Sequence, residues 1–431
     1  MTLSKNSIAL NLICAVLAAT LASVSVPLPV AAAGGGPVGG TFTIADDGAD
    51  EIKPAVAYNP DREEYLVVWH RDVGYADIRA RRISRDGTPL GNVFIVDGGE
   101  FRELRYPDVA YSPDDQEYLV VWQETSQTPP NPTNVRARRV SGTGSPMASS
   151  FDIFGTDPSQ APAVAYATTS QLFLVVWEWF DFTGNSLAAR TYDPGGALGT
   201  TRYVYEDTTG AGAFQSDVAY CRTRNEHLVV WRQDSAGIDS DIHARRVSGN
   251  GEPLAGSIFV STLGHSEQRP AVAALPLVNN QGNYAVSWEL DLGTSINIMG
   301  TSVEIASDGT PSTGILRLLA ATDEDEVKPA VGASQSREQY LVTWQQEVAH
   351  GEGYVWLSDA VVGRALASDG TPQGNTFKEI GGSDAGWSAV VGGGLGSYLV
   401  AFEDTPSGGS VNIYGHMWGN RVYLPVVMRR S

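Results

Sequence analysis

The chain has 431 residues, of which 42% are hydrophobic and 18% charged, so a large buried core is affordable and wholesale disorder is excluded. A formal net charge of −20 argues against a surface for nucleic acid or anionic lipid, which would need clustered Lys and Arg. Ten Trp and seventeen Tyr, with 47 Gly and 23 Pro, favour strands joined by many turns.

Residues 1–33 read as a secretory signal peptide. Lys5 precedes an apolar run from Ile8 to Val24, Pro27 and Pro29 break that run, and Ala31-Ala32-Ala33 offers a small-residue cleavage pattern. A secreted or cell-surface protein is expected; the competing reading is an uncleaved membrane anchor. Cleavage after Ala33 removes Cys14 and leaves Cys221, so no intramolecular disulfide forms and Cys221 is read as structural. Residues 34–40, GGGPVGG, read as a glycine-rich linker. Their G-x-G-x-x-G match lacks the strand before and the helix after that a dinucleotide site requires.

A repeat then occupies nearly everything that follows. Pro54-Ala-Val-Ala-Tyr58 returns as Pro107-Asp-Val-Ala-Tyr111, Pro162-Ala-Val-Ala-Tyr166, Ser216-Asp-Val-Ala-Tyr220, Pro270-Ala-Val-Ala-Ala274, Pro329-Ala-Val-Gly-Ala333 and Ser388-Ala-Val-Val-Gly392. About ten residues after each lies an apolar run ending in Trp69, Trp122, Trp177, Trp231, Trp288, Trp344 or Phe402, at gaps of 53, 55, 54, 57, 56 and 58 residues. The first unit contains four strand-like pieces: Ala55–Tyr58, Tyr65–Trp69, Asp77–Ile83 and Val93–Val96. Asn59-Pro60-Asp61 and Asp86-Gly87 supply turns of the kind tight hairpins need.

Four short antiparallel strands per unit in seven units predict an all-β fold, a seven-bladed β-propeller over residues 41–420. Ala- and Gly-rich first strands suit a crowded axis, and the recurrent aromatic suits a wedge between blades. The seventh copy lacks a fourth strand, whereas Gly40-Thr-Phe-Thr-Ile-Ala-Asp46 precedes the first copy and matches Gly91-Asn-Val-Phe-Ile-Val-Asp97. The ring is therefore expected to close through the N-terminal strand, with Val422–Val427 as the competing closure. Residues 421–431 form a short apolar-then-basic tail, too short to span a bilayer.

The units resemble a repeat of exported bacterial proteins of the form x-P-x-VAY-N-P-x…YLVVW…DI-x-ARRVS-x-DGTPLG…F-x-V, matched over about residues 41–418. That resemblance implies a seven-bladed propeller and export, and little chemistry. The turn Ser84-Arg-Asp86-Gly-Thr88 is also similar to the Asp-box turn of sialidase-type propellers. It lacks the spacer before Gly and the following aromatic, and no sialidase arginine triad can be placed on this sequence, so that activity is not carried over.

Candidate site residues come from the loops expected on one face. Asp46, Asp47, Asp50, Glu51, Asp323, Glu324, Asp325, Glu326 and Asp384 lie before the first strands. An acid follows the second-strand aromatic within a few residues in every unit: Asp72, Glu124, Glu178, Asp181, Asp234, Glu289, Asp291, Glu347, Glu403 and Asp404. Such a ring of carboxylates suits Ca²⁺, a hydroxyl-rich ligand, or a general acid and base for glycoside hydrolysis; the plain alternative is a solvated acidic face tied to repeated arginines. No EF-hand loop, zinc spacing, nucleophile elbow or P-loop is present. Arg81, Arg138, Arg190, Arg245 and Arg364 recur on the third strand, and their repetition favours a structural role over an anion-binding ring. Departures from the repeat point more sharply to function. Trp179 and its neighbours extend a loop in blade three, and a long loop in blade six carries His350, Tyr354 and Trp356.

The sequence therefore reads as a monomeric, exported binding module for an extracellular glycan or protein. The expected ligand-binding residues are Asp72, Glu178, Trp179, Asp181, Asp234, Asp291, Glu347, Tyr354, Trp356 and Asp404, with Ca²⁺ as the candidate cofactor. A glycoside hydrolase or lyase using two of the carboxylates, and a purely structural surface protein, are the alternatives.

Overall fold

The computed structural model describes residues 36–128, 132–155, 158–180, 184–234, 239–276, 281–322, 324–347, 360–380, 385–406 and 409–419. The chain divides into two units, Met1–Gly34 and Gly35–Ser431, and the described residues all belong to the second. The signal segment, the C-terminal tail with its competing closure strand, Asp181, Asp323, His350, Tyr354, Trp356 and Asp384 lie outside them.

Seven antiparallel sheets form the blades, six of four strands and one of five, where two short outer pieces share blade five. The innermost strands are Asp50–Asn59, Arg102–Ser112, Ser159–Ala167, Ala213–Cys221, Ser266–Pro276, Asp325–Ser334 and Ser388–Gly392. Each packs against the next, and the last returns to the first, so they ring a common axis. The second strands, Glu64–Asp72, Glu117–Ser126, Leu172–Phe180, Glu226–Asp234, Gly282–Asp291, Gln339–Glu347 and Tyr398–Asp404, carry the repeated aromatics. Among the described residues the only helical element is a single 3₁₀ turn, Gly394–Gly396, and no helix is long and apolar enough to cross a membrane.

The N-terminal closure holds. Gly36–Ala45 is the outer strand of blade seven, pairing antiparallel with Asn412–Gly419, Phe42 against Gly415 and Thr43 against Tyr414. It begins at Gly36 and so takes in most of the glycine-rich stretch that reads as a linker. Gly415 is required there: a Cβ would fall 2.6 Å from the Phe42 ring.

Two repeated devices join neighbouring blades. Trp69, Trp122, Trp177, Trp231, Trp288, Trp344 and Phe402 are fully buried. Trp122, for example, packs with Leu66, Val68 and Ala80 of the preceding blade. Each such ring removes roughly 150–250 Å² from water, a gross gain of about 4–6 kcal/mol before entropy costs. The arginine column is the second device. Arg81 Nη1 donates to the Ile44 carbonyl of the preceding blade at 2.8 Å and its Nε to Gly91 of its own outer strand at 3.3 Å. Arg138 reaches Val96 and Ala148, Arg190 reaches Ile153 and Gly199, Arg245 reaches Val204 and Leu254, and Arg364 reaches Leu319 and Gly374. These guanidinium groups neither lie over the tryptophans nor hold loop carboxylates. They tie the outer strands of adjacent blades through main-chain carbonyls.

Two measurements follow. Ile44→Ala, a truncation of a fully buried side chain on the closing strand, is expected to cost about 2–4 kcal/mol in urea unfolding. Arg190→Met keeps the stem but leaves two carbonyls without their charged donor, and is expected to cost about 1–3 kcal/mol. No change in either variant would mean that closure is not carried by these contacts.

Candidate functional site

The first strands are longer than their Ala-Val-Ala cores because each continues upstream through a β-bulge. Pairing with the second strand breaks between Ile52 and Ala55 in blade one, and at the equivalent place in blades two to six. The residue before the repeated Pro or Ser sits in that bulge with a left-handed backbone: Lys53 (φ 53°), Tyr106 (54°), Ala161 (48°), Gln215 (56°), Arg269 (50°) and Lys328 (56°). A non-glycine residue rarely adopts this conformation, and a residue before proline is biased toward extended backbone, so tertiary contacts must hold it.

Those contacts are visible. In four blades the residue directly after the second-strand aromatic turns toward the axis and accepts the bulge N–H of the next blade. Glu403 Oε1 accepts from Lys53 N at 2.5 Å, Glu178 Oε1 from Gln215 N at 2.6 Å, Glu289 Oε1 from Lys328 N at 2.6 Å, and Gln123 Oε1 from Ala161 N at 3.4 Å. Arg269 N instead donates to Gln215 Oε1 at 2.8 Å. Three of the acids that read as loop carboxylates are therefore strand residues, buried and spent on the backbone. Glu403 is pushed up to about 7 by burial, against the pull of the Lys53 amide, and Glu178 and Glu289 are raised for the same reason.

The bulges present their side chains to one axial cavity of about 430 Å³. Lys53, Tyr106, Gln215, Arg269 and Trp387 line it together with Asp108, Asp217 and Glu178. The Lys53 ammonium lies 4.0 Å from the Tyr106 ring centre and 4.1 Å from that of Trp387. Lys328 Nζ is 5.2 Å from Trp387, and the Arg269 guanidinium 5.8 Å. Asp108 and Asp217 are raised to about 7 and about 6 by burial. Each of their four oxygens nevertheless accepts a main-chain N–H: Val109 and Val164 donate to Asp108, Val218 and Val272 to Asp217, at 2.7–2.8 Å.

The residues expected from sequence are dispersed by comparison. Asp72, Asp234, Asp291 and Glu347 end the second strands of four different blades. Asp72 accepts Arg105 at 2.8 Å, Asp234 accepts both Nε and Nη2 of Arg232, and Asp291 caps the N–H of Gly293. Asp404 ends the blade-seven strand opposite Asn412 and is buried. Of the upstream acids, Glu51 and Glu326 are buried inside blades, Asp47 pairs with Arg71 and Arg79, and Asp50 accepts Val411 N. Trp179 belongs to a strand rather than a loop: Tyr203 stacks on it at 4.9 Å and Phe154 meets it edge-on at 5.0 Å. Of the expected residues that are described, Glu178 alone lines the axial cavity. Among the described residues no group of three or more His, Cys, Asp or Glu is placed to hold a metal ion. Cys221 is buried, 3.2 Å from Thr223 Oγ1, as a structural residue would be.

The sequence does contain a signal for the missed residues. The position just before Pro-Ala-Val-Ala-Tyr reads Lys, Tyr, Ala, Gln, Arg, Lys and Trp in successive units, varying where its neighbours repeat.

Lys53 gives a stability test. Burial holds its amine at about 8, below the ordinary lysine value; Glu403 and Glu178 oppose the shift, while Arg269 and Lys328 add to it. A folded-state amine that loses its proton early is penalised while both states are protonated, and the penalty fades as pH climbs from about 8 to 10.5. Lys53→Met is therefore expected to be more stable than the parent at neutral pH, with the advantage shrinking across that window. A destabilised variant at pH 7 would overturn the assignment of Lys53 as a costly cation.

No family model and no curated protein matches the chain. Solved structures similar to it include a protein of unknown function from Dyadobacter fermentans, at 12% identity and TM-score 0.49, covering 75% of this chain and 96% of that one. AofleA from Arthrobotrys oligospora follows at 10% identity and TM-score 0.48, covering 80% and 92%. An α-L-arabinofuranosidase from Fusarium graminearum is similar at 11% identity and TM-score 0.45, covering 76% and 97%. None of these likenesses transfers a functional residue to this chain.

Proposed function

We propose that this chain is an exported β-propeller that binds a carbohydrate in its axial cavity. One observation carries the reading. Seven equivalent positions, six of them in a left-handed conformation that costs conformational energy, carry Lys, Tyr, Ala, Gln, Arg, Lys and Trp, and all but Lys328 line one cavity, while the surrounding scaffold repeats. A purely structural ring would fill its axis with one residue type. A half-buried Trp387 and a Tyr106 on either side of the Lys53 ammonium, with hydrogen-bonding side chains around them, are lining of the kind a sugar ring uses: aromatic surface to stack on and polar groups for its hydroxyls. The cavity volume lies within the range of small-ligand sites. This places the proposed site at the axis instead of the acidic loop face.

The second reading, glycoside hydrolysis, draws on the raised carboxyls of Asp108 and Asp217 at the same cavity. Their oxygens are already engaged by backbone amides, which suits inter-blade fastening better than proton transfer.

The test is retention of the protein on a glycan and polysaccharide panel, with and without chelator. Saturable retention by one sugar class that Trp387→Ala weakens by about tenfold or more, while Trp179→Ala leaves it intact, is the expected result. Retention that ignores Trp387, or none on any glycan, would sink the axial reading. Release of reducing ends on the same panel, lost in Asp108→Asn, would favour the hydrolase.

A further inference from the structure

Three cations converge on one indole. Lys53, Lys328 and Arg269 all lie within 5.8 Å of the Trp387 ring centre, and Lys53 lies deepest, between two aromatic faces. Like charges so placed repel one another, and burial adds a desolvation cost. A chain of net charge −20 would lower that cost by setting carboxylates against them. It does so only in part. Glu289 takes Arg269 Nη1 at 2.8 and 3.0 Å, but one of its oxygens also serves the Lys328 amide. Glu403 serves the Lys53 amide, not its ammonium. Lys328 Nζ is satisfied by a neutral partner, Gln345 Oε1, at 2.6 Å. Among the described residues the Lys53 ammonium has no hydrogen-bond acceptor, and Arg269 keeps Nε and Nη2 without one. Lys53 meets two aromatic faces, which attract a cation without using its N–H donors, and feels the charges of Glu403 and Glu178 without a hydrogen bond to either.

These donors face the cavity that the proposed function assigns to a sugar. We infer that the axial site takes an anionic saccharide: a ring that packs beside Trp387 and Tyr106, carrying an oxyanion that the Lys53 ammonium and the open edge of Arg269 receive. The inference rests on the axial-binding reading and adds the charge of its ligand. An oxyanion supplies the acceptors these cations lack, relieves their repulsion, and fits the two-pronged edge of a guanidinium.

The experiment is calorimetric titration of the full chain and of Lys53→Met with four probes. These are trigalacturonic acid, its neutral methyl ester, a sulfated trisaccharide, and inorganic sulfate or phosphate alone. Thermal unfolding confirms that Lys53→Met is folded; because Lys53 makes no side-chain hydrogen bond, the variant should remain so. The expected result is that an acidic trisaccharide binds, its neutral counterpart binds at least tenfold more weakly, and Lys53→Met loses about ten- to a hundredfold in affinity for the acid with little change for the ester. The carboxylated and sulfated arms then say which oxyanion is preferred. Equal binding of acid and ester, unchanged in Lys53→Met, overturns the anionic inference and leaves the axial sugar reading standing. Inorganic anions that bind as tightly as the acidic sugar would keep the anion chemistry and remove the sugar. Failure of all four probes, with no neutral glycan retained, would remove both.

Discussion

The contact between adjacent blades is what everything else in this molecule depends on. A four-stranded sheet cannot bury both faces alone, so each blade is stable only as a wedge between two others. The chain solves the same interface seven times, with an aromatic from one blade laid against the apolar face of the next and, in five blades, an arginine tying their outer strands. Blade five substitutes Thr301, whose hydroxyl bonds the Ile315 carbonyl, and blade seven places His416 at the same register. The interface tolerates that substitution because the buried ring carries most of the gain. Closure by Gly36–Ala45 follows from the same constraint: an unfilled outer edge on the last blade would leave both a bare strand and a missing half of the final wedge.

How far the sequence discloses this depends on whether a feature repeats. Trp69 to Phe402 and the Ala-Val-Ala cores announce seven units, and the likeness of Thr41–Ala45 to Asn92–Val96 announces the closing strand, because identical packing demands identical residues. The axial site was illegible for a matching reason. Reading the first strand as Ala55–Tyr58 stops at the proline, where alternation fails. The bulge adds one residue there and reverses which side chains face the axis, so Glu51 enters the blade and Lys53 the cavity. Acids just past the second-strand aromatic were read as loop residues for the same reason. The strand runs two or three residues further, and the first of them, Glu178, Glu289 or Glu403, points inward to hold a neighbour's backbone. Trp179 shows the complementary error: an extra aromatic in the sequence became a stacking partner for Tyr203, not an open platform.

The separation of labour between these two positions is the most informative part of the architecture. The supporting residue is constrained where it is Gln123, Glu178, Glu289 or Glu403, since it must accept an N–H from the next blade; at Arg232 that task passes to Gln215. The supported residue is free to vary, since its main chain is fixed while its side chain points into space. Lys53, Tyr106, Gln215, Arg269 and Lys328 exploit that freedom in different directions, and only Ala161 declines it. Each left-handed bulge stores strain that its inter-blade N–H bond offsets, and three cations around Trp387 add repulsion. Folding alone would favour small neutral residues at these sites, as Ala161 illustrates. Costs concentrated at one cavity, borne by a scaffold that otherwise repeats, are the physical ground on which the proposed binding role rests.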